Sequence, residues 1–479
     1  MSGIKLSQHK FKKGKFISPL NDIGFDLTEM PWFQRRLPEY IWIGLIINKY
    51  GRNNGLNICG AIIQEFKNLY VPKLGFSELL ALDNSKQEKI WHCVSKFAGD
   101  DILTPLTLLI TFSNYPIFAK HFCKLDVSIE DRIKDINAVM KKAANHQSDF
   151  ATDIRFLIVF YEIILDRMKF SSLFMAQQIA KYPTLSHDND EMELIRPTIR
   201  SIEIGLEPNN KEHIKFLENF WRDISMMTEC DMVFLKYEKN ADDASVYMKK
   251  VKSILTYYND IYTSSHQLDN KMLVILGIAT YSYKRILELV NCNLFNEISG
   301  RSIVRVLIEN YIMIKYLLKH ETDHVDIWGE YQYYGIGQYK LICKRAEDAK
   351  TNLENSHVEY KYLNILVNEF KGEDFIDMDT NYFNKHNIRE KAIDVNEKEL
   401  YGLYYDYDSA FEHGLWGAIR ESSLIKCEAV GHQLHCIPDI DNQQHLKSVW
   451  NDAKLIMTKI LFVLKDIYGL PEQYTICEE

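Results

Sequence analysis

A charged stripe interrupts an otherwise apolar stretch at residues 300–318. Arg301, Arg305 and Glu309 lie four residues apart, so they fall on one face of a helix. Charged groups are costly inside a protein unless they are paired and hydrogen-bonded, so the stripe predicts a polar site within the fold. Two guanidiniums can hold a phosphate or carboxylate through paired hydrogen bonds, with Glu309 orienting Arg305. The structural alternative is an ion-pair network that fixes the register of buried helices.

A second polar group occurs about a hundred residues later. Tyr405, Ser409 and His413 are again spaced four apart, and Asp406 adjoins Tyr405. We expect one helix over residues 397–423 and expect it to pack against the first. One interior pocket would then hold Arg301, Arg305, Glu309, Asp406, Ser409, Glu412 and His413. His413 would be a general acid or base, because its pKa lies near neutrality. The alternative is a structural histidine bonded to a carboxylate.

The residues divide into two predicted roles. The catalytic candidates are Arg305, Glu309 and His413. The candidates for substrate binding are Arg301, Tyr405, Asp406 and Ser409.

Other chemistries find little support in the motifs. The sequence has no Gly-x-Ser-x-Gly, no phosphate-binding loop and no Gly-x-Gly-x-x-Gly. His432 and His435 lie near Cys427 and Cys436, but their spacing matches no standard zinc finger. We interpret this segment as a surface loop, and we predict no metal and no cofactor.

The elements that must position these residues are helices. Apolar residues recur at helical spacing along most of the chain, and no alternating strand pattern of useful length is present. Tyr50-Gly51 ends one helix and another follows, while residues 371–396 are polar without clear periodicity and predict a loop. The fold class is therefore all-α, with a tail over 1–28, a helical domain over 29–240 and a C-terminal helical bundle over 241–470.

The composition limits which binding partners and which cellular compartment we expect. The net charge of -9 argues against a surface built for duplex DNA or an anionic membrane. The nine cysteines show no Cys-x-x-Cys pair, and no apolar run reaches the roughly 20 residues that cross a bilayer. We expect a cytoplasmic protein with no membrane partner.

The two motifs also carry a resemblance. Arg-x-x-x-Arg-x-x-x-Glu at 301–309, followed by Tyr-x-x-x-Ser-x-x-x-His-Gly at 405–414, resembles a bacterial all-helical family of unknown function over about residues 250–470. Arg-Leu-Pro-Glu-Tyr-Ile-Trp at 36–42 resembles the start of larger uncharacterised bacterial proteins with such a module.

That family is broadly similar to HEPN-like helical bundles, many of which are ribonucleases in toxin, abortive-infection and phage-defence systems. The resemblance implies a HEPN-like C-terminal bundle with a phosphate site for RNA or a nucleotide, and with ribonuclease activity. In HEPN proteins a histidine follows an arginine after four to six intervening residues on one helix. Here no arginine precedes a histidine at that spacing, so the site would be assembled from different helices. The competing hypothesis is a noncatalytic scaffold that binds a protein partner encoded nearby, and under either hypothesis we expect a homo-oligomer.

Overall fold

The computed structural model describes most of the chain. The described residues are 10–17, 31–109, 114–124, 126–168, 173–206, 211–265, 269–349, 356–368, 383 and 386–476. Most of the predicted tail over 1–28 and much of the predicted loop over 371–396 lie outside them. The chain separates into two compact units: unit 1 comprises residues 1–233 and 426–436, and unit 2 comprises residues 234–425 and 437–479.

Unit 1 is helical. Its helices are α1 (Leu37–Asn68), α2 (Phe76–Leu80), α3 (Asn84–Ala98), α4 (Pro116–Phe122), α5 (Ile129–Ala143), α6 (Asp149–Ile164), α7 (Leu173–Lys181), α8 (Met192–Ile204) and α9 (Lys211–Met226). A short hairpin of β1 (Lys10–Lys12) and β2 (Lys15–Ile17) precedes them. The helix break predicted at Gly51 is present, since Gly51 has φ 74° and ψ 169° and interrupts α1.

Unit 2 contains most of the predicted C-terminal bundle. Its helices are α10 (Ala244–Ser265), α11 (Asn270–Asn291), α12 (Ile298–His320), α13 (Ile327–Ala349), α14 (Tyr360–Val367), α15 (Ile388–Asp394), α16 (Lys398–Leu400), α17 (Asp406–Glu412), α18 (Trp416–Ser423) and α19 (Trp450–Tyr468). The predicted all-α class is confirmed. Within the described residues the remaining strands are short: β3 (Met232–Val233), β4 (Leu424–Cys427) and β5 (Cys436–Pro438).

Helix α12 lies at the centre of unit 2, where it packs against α11, α15, α17 and α19. Its apolar residues Leu307, Ile308 and Ile312 are fully buried. The polar residues of a helix surrounded in this way lie at the boundaries between its neighbours. Side chains on α12 therefore contact groups from several other helices.

The expectation of a single helix over 397–423 is wrong. A π-helical turn at Tyr401–Tyr405 leads into α17, and the helix ends at His413 before restarting at Trp416. Gly414 has φ 57°, a left-handed conformation that terminates the α-helix.

Within the described residues, no helix combines the length and apolar character needed to cross a membrane.

Candidate functional site

Helices α12 and α17 pack directly against each other, which confirms the predicted pairing of the two polar motifs. Ser302 on α12 donates a hydrogen bond to the Glu412 carboxylate, while Arg305, one turn later, reaches Tyr405. The two helices therefore run in opposite directions. This arrangement determines which predicted residues meet.

Arg301 lies at the sealed end of the stripe, with 2% of its surface exposed. Its guanidinium donates to the carbonyl oxygens of Glu297, at 3.1 Å, and of Lys447, and lies 5.7 Å from the ring centre of Phe411. These bonds join the start of α12 to the segment before α19. The geometry favours a structural role for Arg301, whose predicted contact with substrate stays a prediction.

Arg305, Tyr405 and Glu309 form a closed network at the next turn. Arg305 Nη2 donates to the Tyr405 hydroxyl at 3.0 Å, and that hydroxyl donates to Glu309 Oε1 at 2.7 Å. Arg305 and Glu309 are also paired directly at 3.3 Å, and 19% of the Arg305 side chain is exposed. The pairing of Arg305 with Glu309 agrees with the prediction from their spacing, and Tyr405 joins them from the facing helix.

The charge pattern stabilises this network. Burial raises the pKa of Tyr405 to about 12, with a further contribution from the hydrogen bond to Glu309. Burial alone would lower the pKa of Arg305, but the Tyr405 bond and the Glu309 charge outweigh it and the pKa rises. Arg305 and Glu309 are therefore a charged pair with a neutral tyrosine bridging them.

His413 lies apart from this network. It is exposed at the C-terminal end of α17, and its side chain makes no hydrogen bond to a described residue. Eight residues separate it from Tyr405, which places it about 12 Å farther along the helix axis. Ser409 is partly buried between them, and Asp406 is exposed and bonded to Tyr401.

A buried acid between these positions was missed. Asp408 is 4% exposed, and burial raises the pKa of its carboxyl to about 7, although the Arg301 charge opposes that rise and the Asp452 charge adds to it. Asp408 follows Tyr405 by three residues and precedes Phe411 by three. That spacing places all three on one helix face, which is the signal that identifies Asp408.

The C-terminal half of α12 borders a cavity of about 360 Å³. It is lined by Tyr316, His320, His386, Glu390, Lys391, Ile393 and Asp394. His320 Nε2 lies 2.8 Å from Asp394 Oδ2, and Lys319 pairs with the same carboxylate at 2.7 Å. Six of the seven side chains that line this cavity are titratable.

Lys391 is the unusual member of this cavity. It is 5% exposed and donates to the Phe383 carbonyl oxygen, and its ammonium lies 5.6 Å from the ring centre of Tyr316. Burial lowers the pKa of Lys391, while the nearby Glu309 charge opposes the shift. Glu309 thus connects the arginine network electrostatically to the cavity.

The cavity escaped prediction because residues 371–396 were expected to be a loop. That expectation is wrong for α15, which carries Glu390, Lys391 and Asp394. The available signal was Asn387-x-x-Glu390, since Asn387 and Glu390 form a capping box at the start of α15.

Unit 1 has buried polar clusters of its own. Glu39 accepts hydrogen bonds from the Ser77 hydroxyl at 2.6 Å and from the Ser77 backbone N–H at 2.7 Å, and it lies 2.7 Å from His213 Nδ1. A second cluster places the fully buried Glu203 between Arg36 and Arg155. A possible metal-binding set in unit 1 comprises Cys230, Cys427, His432 and His435.

Residues 275–432 match the model of a family of unknown function, DUF5677. This confirms the predicted resemblance of the C-terminal half to an uncharacterised family, whereas the likeness to HEPN-like bundles stays a prediction. The chain has no significant match among curated proteins or among solved structures.

Proposed function

We propose that unit 2 binds the phosphate of a nucleotide or of RNA in the cavity beside α12. The observation that carries this proposal is the convergence of His320, His386 and Lys391 on a cavity of about 360 Å³. Small-ligand sites commonly have volumes of about 300–1,000 Å³ and a few convergent polar groups. A mononucleotide or the end of an RNA strand fits this description.

The acids of the cavity are already engaged. Asp394 is paired with Lys319 and His320, and Glu390 accepts the backbone N–H of Asn387 at 2.9 Å. An ammonium group has three donors, and among the described residues Lys391 uses one on the Phe383 carbonyl oxygen. An anion in the cavity would therefore meet Lys391 as a donor. His320 and His386 pair with Asp394 and Glu390 through one ring nitrogen each, so they would donate to the anion through the other ring nitrogen as imidazolium ions.

The predicted residues on α12 support this site from one side. Arg305 and Tyr405 hold Glu309, and the Glu309 charge favours the protonated form of Lys391. A bound phosphate would act in the same direction. We assign Glu309 a positioning role toward Lys391.

The catalytic form of the proposal is RNA cleavage. It assigns contact with the scissile phosphate to Arg305, aided by Glu309, and proton transfer to His413. Because His413 is about 12 Å along the axis from Tyr405, an RNA strand would have to bring its phosphate between these groups. His320, which Asp394 orients, is the alternative proton donor.

A bacterial toxin or antiphage-defence role belongs to the same proposal. Its support is the resemblance of residues 250–470 to a bacterial all-helical family of unknown function that is broadly similar to HEPN-like bundles. RNA as the ligand agrees with that setting.

Binding measurements test the phosphate site. Calorimetry with ATP and with a short single-stranded RNA should show binding to the wild-type chain, and His320→Gln should weaken it by about tenfold or more, because a charge-assisted hydrogen bond is lost. His324→Gln is the matched control, since His324 pairs with Glu330 outside the cavity. Absence of binding to either probe, or equal affinities for wild type and His320→Gln, would contradict the proposal.

Cleavage is tested separately with labelled RNA. If His413 transfers the proton, His413→Ala should lower cleavage by about a hundredfold or more without changing RNA affinity. The same loss in His320→Gln but not in His413→Ala would move the role to His320. No cleavage by the wild-type chain would leave a binding site alone and remove the ribonuclease assignment.

A second candidate function is a noncatalytic scaffold, favoured by exposed apolar side chains in the π-helical turn before α17 and at the start of α18. Leu403 and Trp416 are each 70% exposed and Leu415 is 55% exposed. The core beneath is small, consisting of Phe411, Ala418 and Leu446. Large apolar side chains that are exposed above a small apolar core are typical of a protein interface.

A second copy of this chain is the partner this candidate names, with a protein encoded nearby as the alternative. Light scattering after gel filtration should show a dimer that Leu403→Ser with Trp416→Ser converts to a monomer. A wild-type monomer, or a dimer unaffected by both substitutions, would argue against self-association through this surface.

A further inference from the structure

Four cysteine and histidine side chains of unit 1 lie together. Cys230 follows α9, Cys427 ends β4, His432 ends a 3-10 turn at Val430–His432, and His435 precedes β5. One potential ligand atom from each lies within 4.8 Å of the others. Cys230 is far from the other three along the chain, so the fold itself has assembled the group.

The distances fit a tetrahedral metal ion. Cys230 Sγ lies 3.2 Å from His432 Nδ1 and 3.6 Å from His435 Nε2, and Cys427 Sγ lies 3.6 Å from His432 Nδ1. Zinc–sulfur bonds of about 2.3 Å and zinc–nitrogen bonds of about 2.0–2.1 Å at tetrahedral angles require sulfur–nitrogen distances of about 3.5 Å. These three sulfur–nitrogen distances therefore match those of a zinc site.

A second contact orients one ligand. His432 Nε2 lies 3.0 Å from the Ser225 carbonyl oxygen, which can only accept a hydrogen bond, so Nε2 carries the proton. His432 Nδ1 then presents its lone pair to the two thiols. A histidine held by a backbone carbonyl in this way is the usual outer shell of a metal-ligating imidazole.

The connecting loop is held in a tight and unfavourable conformation. Gln433 and Leu434 both have left-handed backbones, with φ 54° and 58°. The Cys427 N–H donates to the His435 carbonyl oxygen at 2.9 Å, and the Glu428 N–H donates to the Asp231 carbonyl oxygen at 2.7 Å. This turn brings His432 and His435 back toward Cys427 and Cys230.

We propose that Cys230, Cys427, His432 and His435 bind one Zn²⁺ in a structural site that fastens residues 426–436 to the rest of unit 1. All four positions of a tetrahedral ion are filled by protein, as in sites that stabilise folds rather than catalyse. Of this segment, Val430 alone belongs to the apolar core of unit 1 among the described residues. The metal supplies the attachment that so small an apolar contact lacks.

This site differs from the set weighed on sequence spacing. Cys436 is not part of the group, and Cys230 takes its place. No local motif contains both Cys230 and Cys427, which is why the spacing argued against a metal. The proposal is independent of the phosphate cavity in unit 2.

Metal analysis of the purified full chain tests the site. Elemental analysis should find about one zinc per chain, as a four-ligand site requires. Cys230→Ser and His432→Gln should each remove most of it. Cys436→Ser and Cys292→Ser are the matched controls and should keep the zinc, because neither thiol belongs to the group.

A measurement on the wild-type chain keeps the test decisive if the variants fail to fold. Exchange of the metal for Co²⁺ should give the visible absorption of tetrahedral Co²⁺ together with thiolate-to-cobalt charge transfer. A chelator should lower the unfolding temperature of unit 1, and added Zn²⁺ should restore it.

Three results would overturn the proposal. The first is a wild-type chain with neither zinc nor a tetrahedral Co²⁺ spectrum. The second is a Cys230–Cys427 disulfide found by mass spectrometry of the non-reduced chain. The third is an equal loss of zinc in Cys436→Ser and Cys230→Ser.

Discussion

Replacing Asp408 with asparagine should make the stability of unit 2 less dependent on pH. Burial raises the pKa of Asp408 from 3.8 to about 7, with the Arg301 charge opposing this shift. Between these two values the folded chain keeps a proton that the unfolded chain has lost. Stability from this group is therefore complete at low pH and falls as pH rises through the interval, by at most about 4 kcal/mol.

The comparison of two pH values isolates the titration. The introduced asparagine cannot ionise, so any packing cost of its amide is the same at pH 5 and pH 8. The free energy of unfolding of Asp408→Asn relative to wild type should increase by about 2–3 kcal/mol from pH 5 to pH 8. Urea unfolding followed by circular dichroism, with the transition of each unit fitted separately, measures this difference.

The matched control is Asp260→Asn, an exposed carboxylate on α10. Its effect should be the same at both pH values. A change of less than about 0.5 kcal/mol for Asp408→Asn would show that Asp408 does not titrate in this interval, and the argument from burial would fail.

Three further substitutions and one cleavage experiment test other parts of the fold. Glu203→Gln should lower the free energy of unfolding by about 3–5 kcal/mol, because it leaves two buried guanidiniums without their anion. Glu191→Gln, which removes one member of an exposed pair, should lower it by less than about 1 kcal/mol. Urea unfolding of unit 1 measures both. Arg305→Ala should cost only about 1–2 kcal/mol in urea unfolding, since Glu309 is partly exposed and keeps its Tyr405 bond, and a loss as large as that of Glu203→Gln would contradict the geometry. The domain division near residue 240 stays a prediction. Limited proteolysis should cut preferentially within 236–245 or 371–396, and protection of both stretches would refute the division.

Helical periodicity predicted the elements well where a helix is long and surrounded. The stretch 300–318 was expected to be helical, and it lies within α12, which spans Ile298–His320. The pairing of α12 with α17 also followed, because two helices that carry polar stripes need partners for them. Arg305, Glu309 and Tyr405 meet for this reason.

Short helices and long-range convergence were beyond such reasoning. A seven-residue helix such as α15 gives too few turns for a periodic pattern, so only its capping box marks it. His413 was placed with Arg305 on spacing alone, but antiparallel packing carries the two ends of α17 to different turns of α12. Cys230 joins Cys427 through tertiary structure, and no window of sequence contains both.

The two proposals differ in how they relate to the matched family. The region of the DUF5677 match, residues 275–432, contains the arginine network, His413 and the lining residues of the cavity. It contains Cys427 and His432 but excludes Cys230 and His435. If the phosphate site is the function of that region, other chains that match the family should have basic or histidine side chains at the positions of His320 and Lys391. This should hold whether or not those chains have a unit like unit 1 before the matched region. The zinc site requires the first unit as well, so Cys427 and His432 should keep their identities only in chains that also supply a cysteine at the position of Cys230.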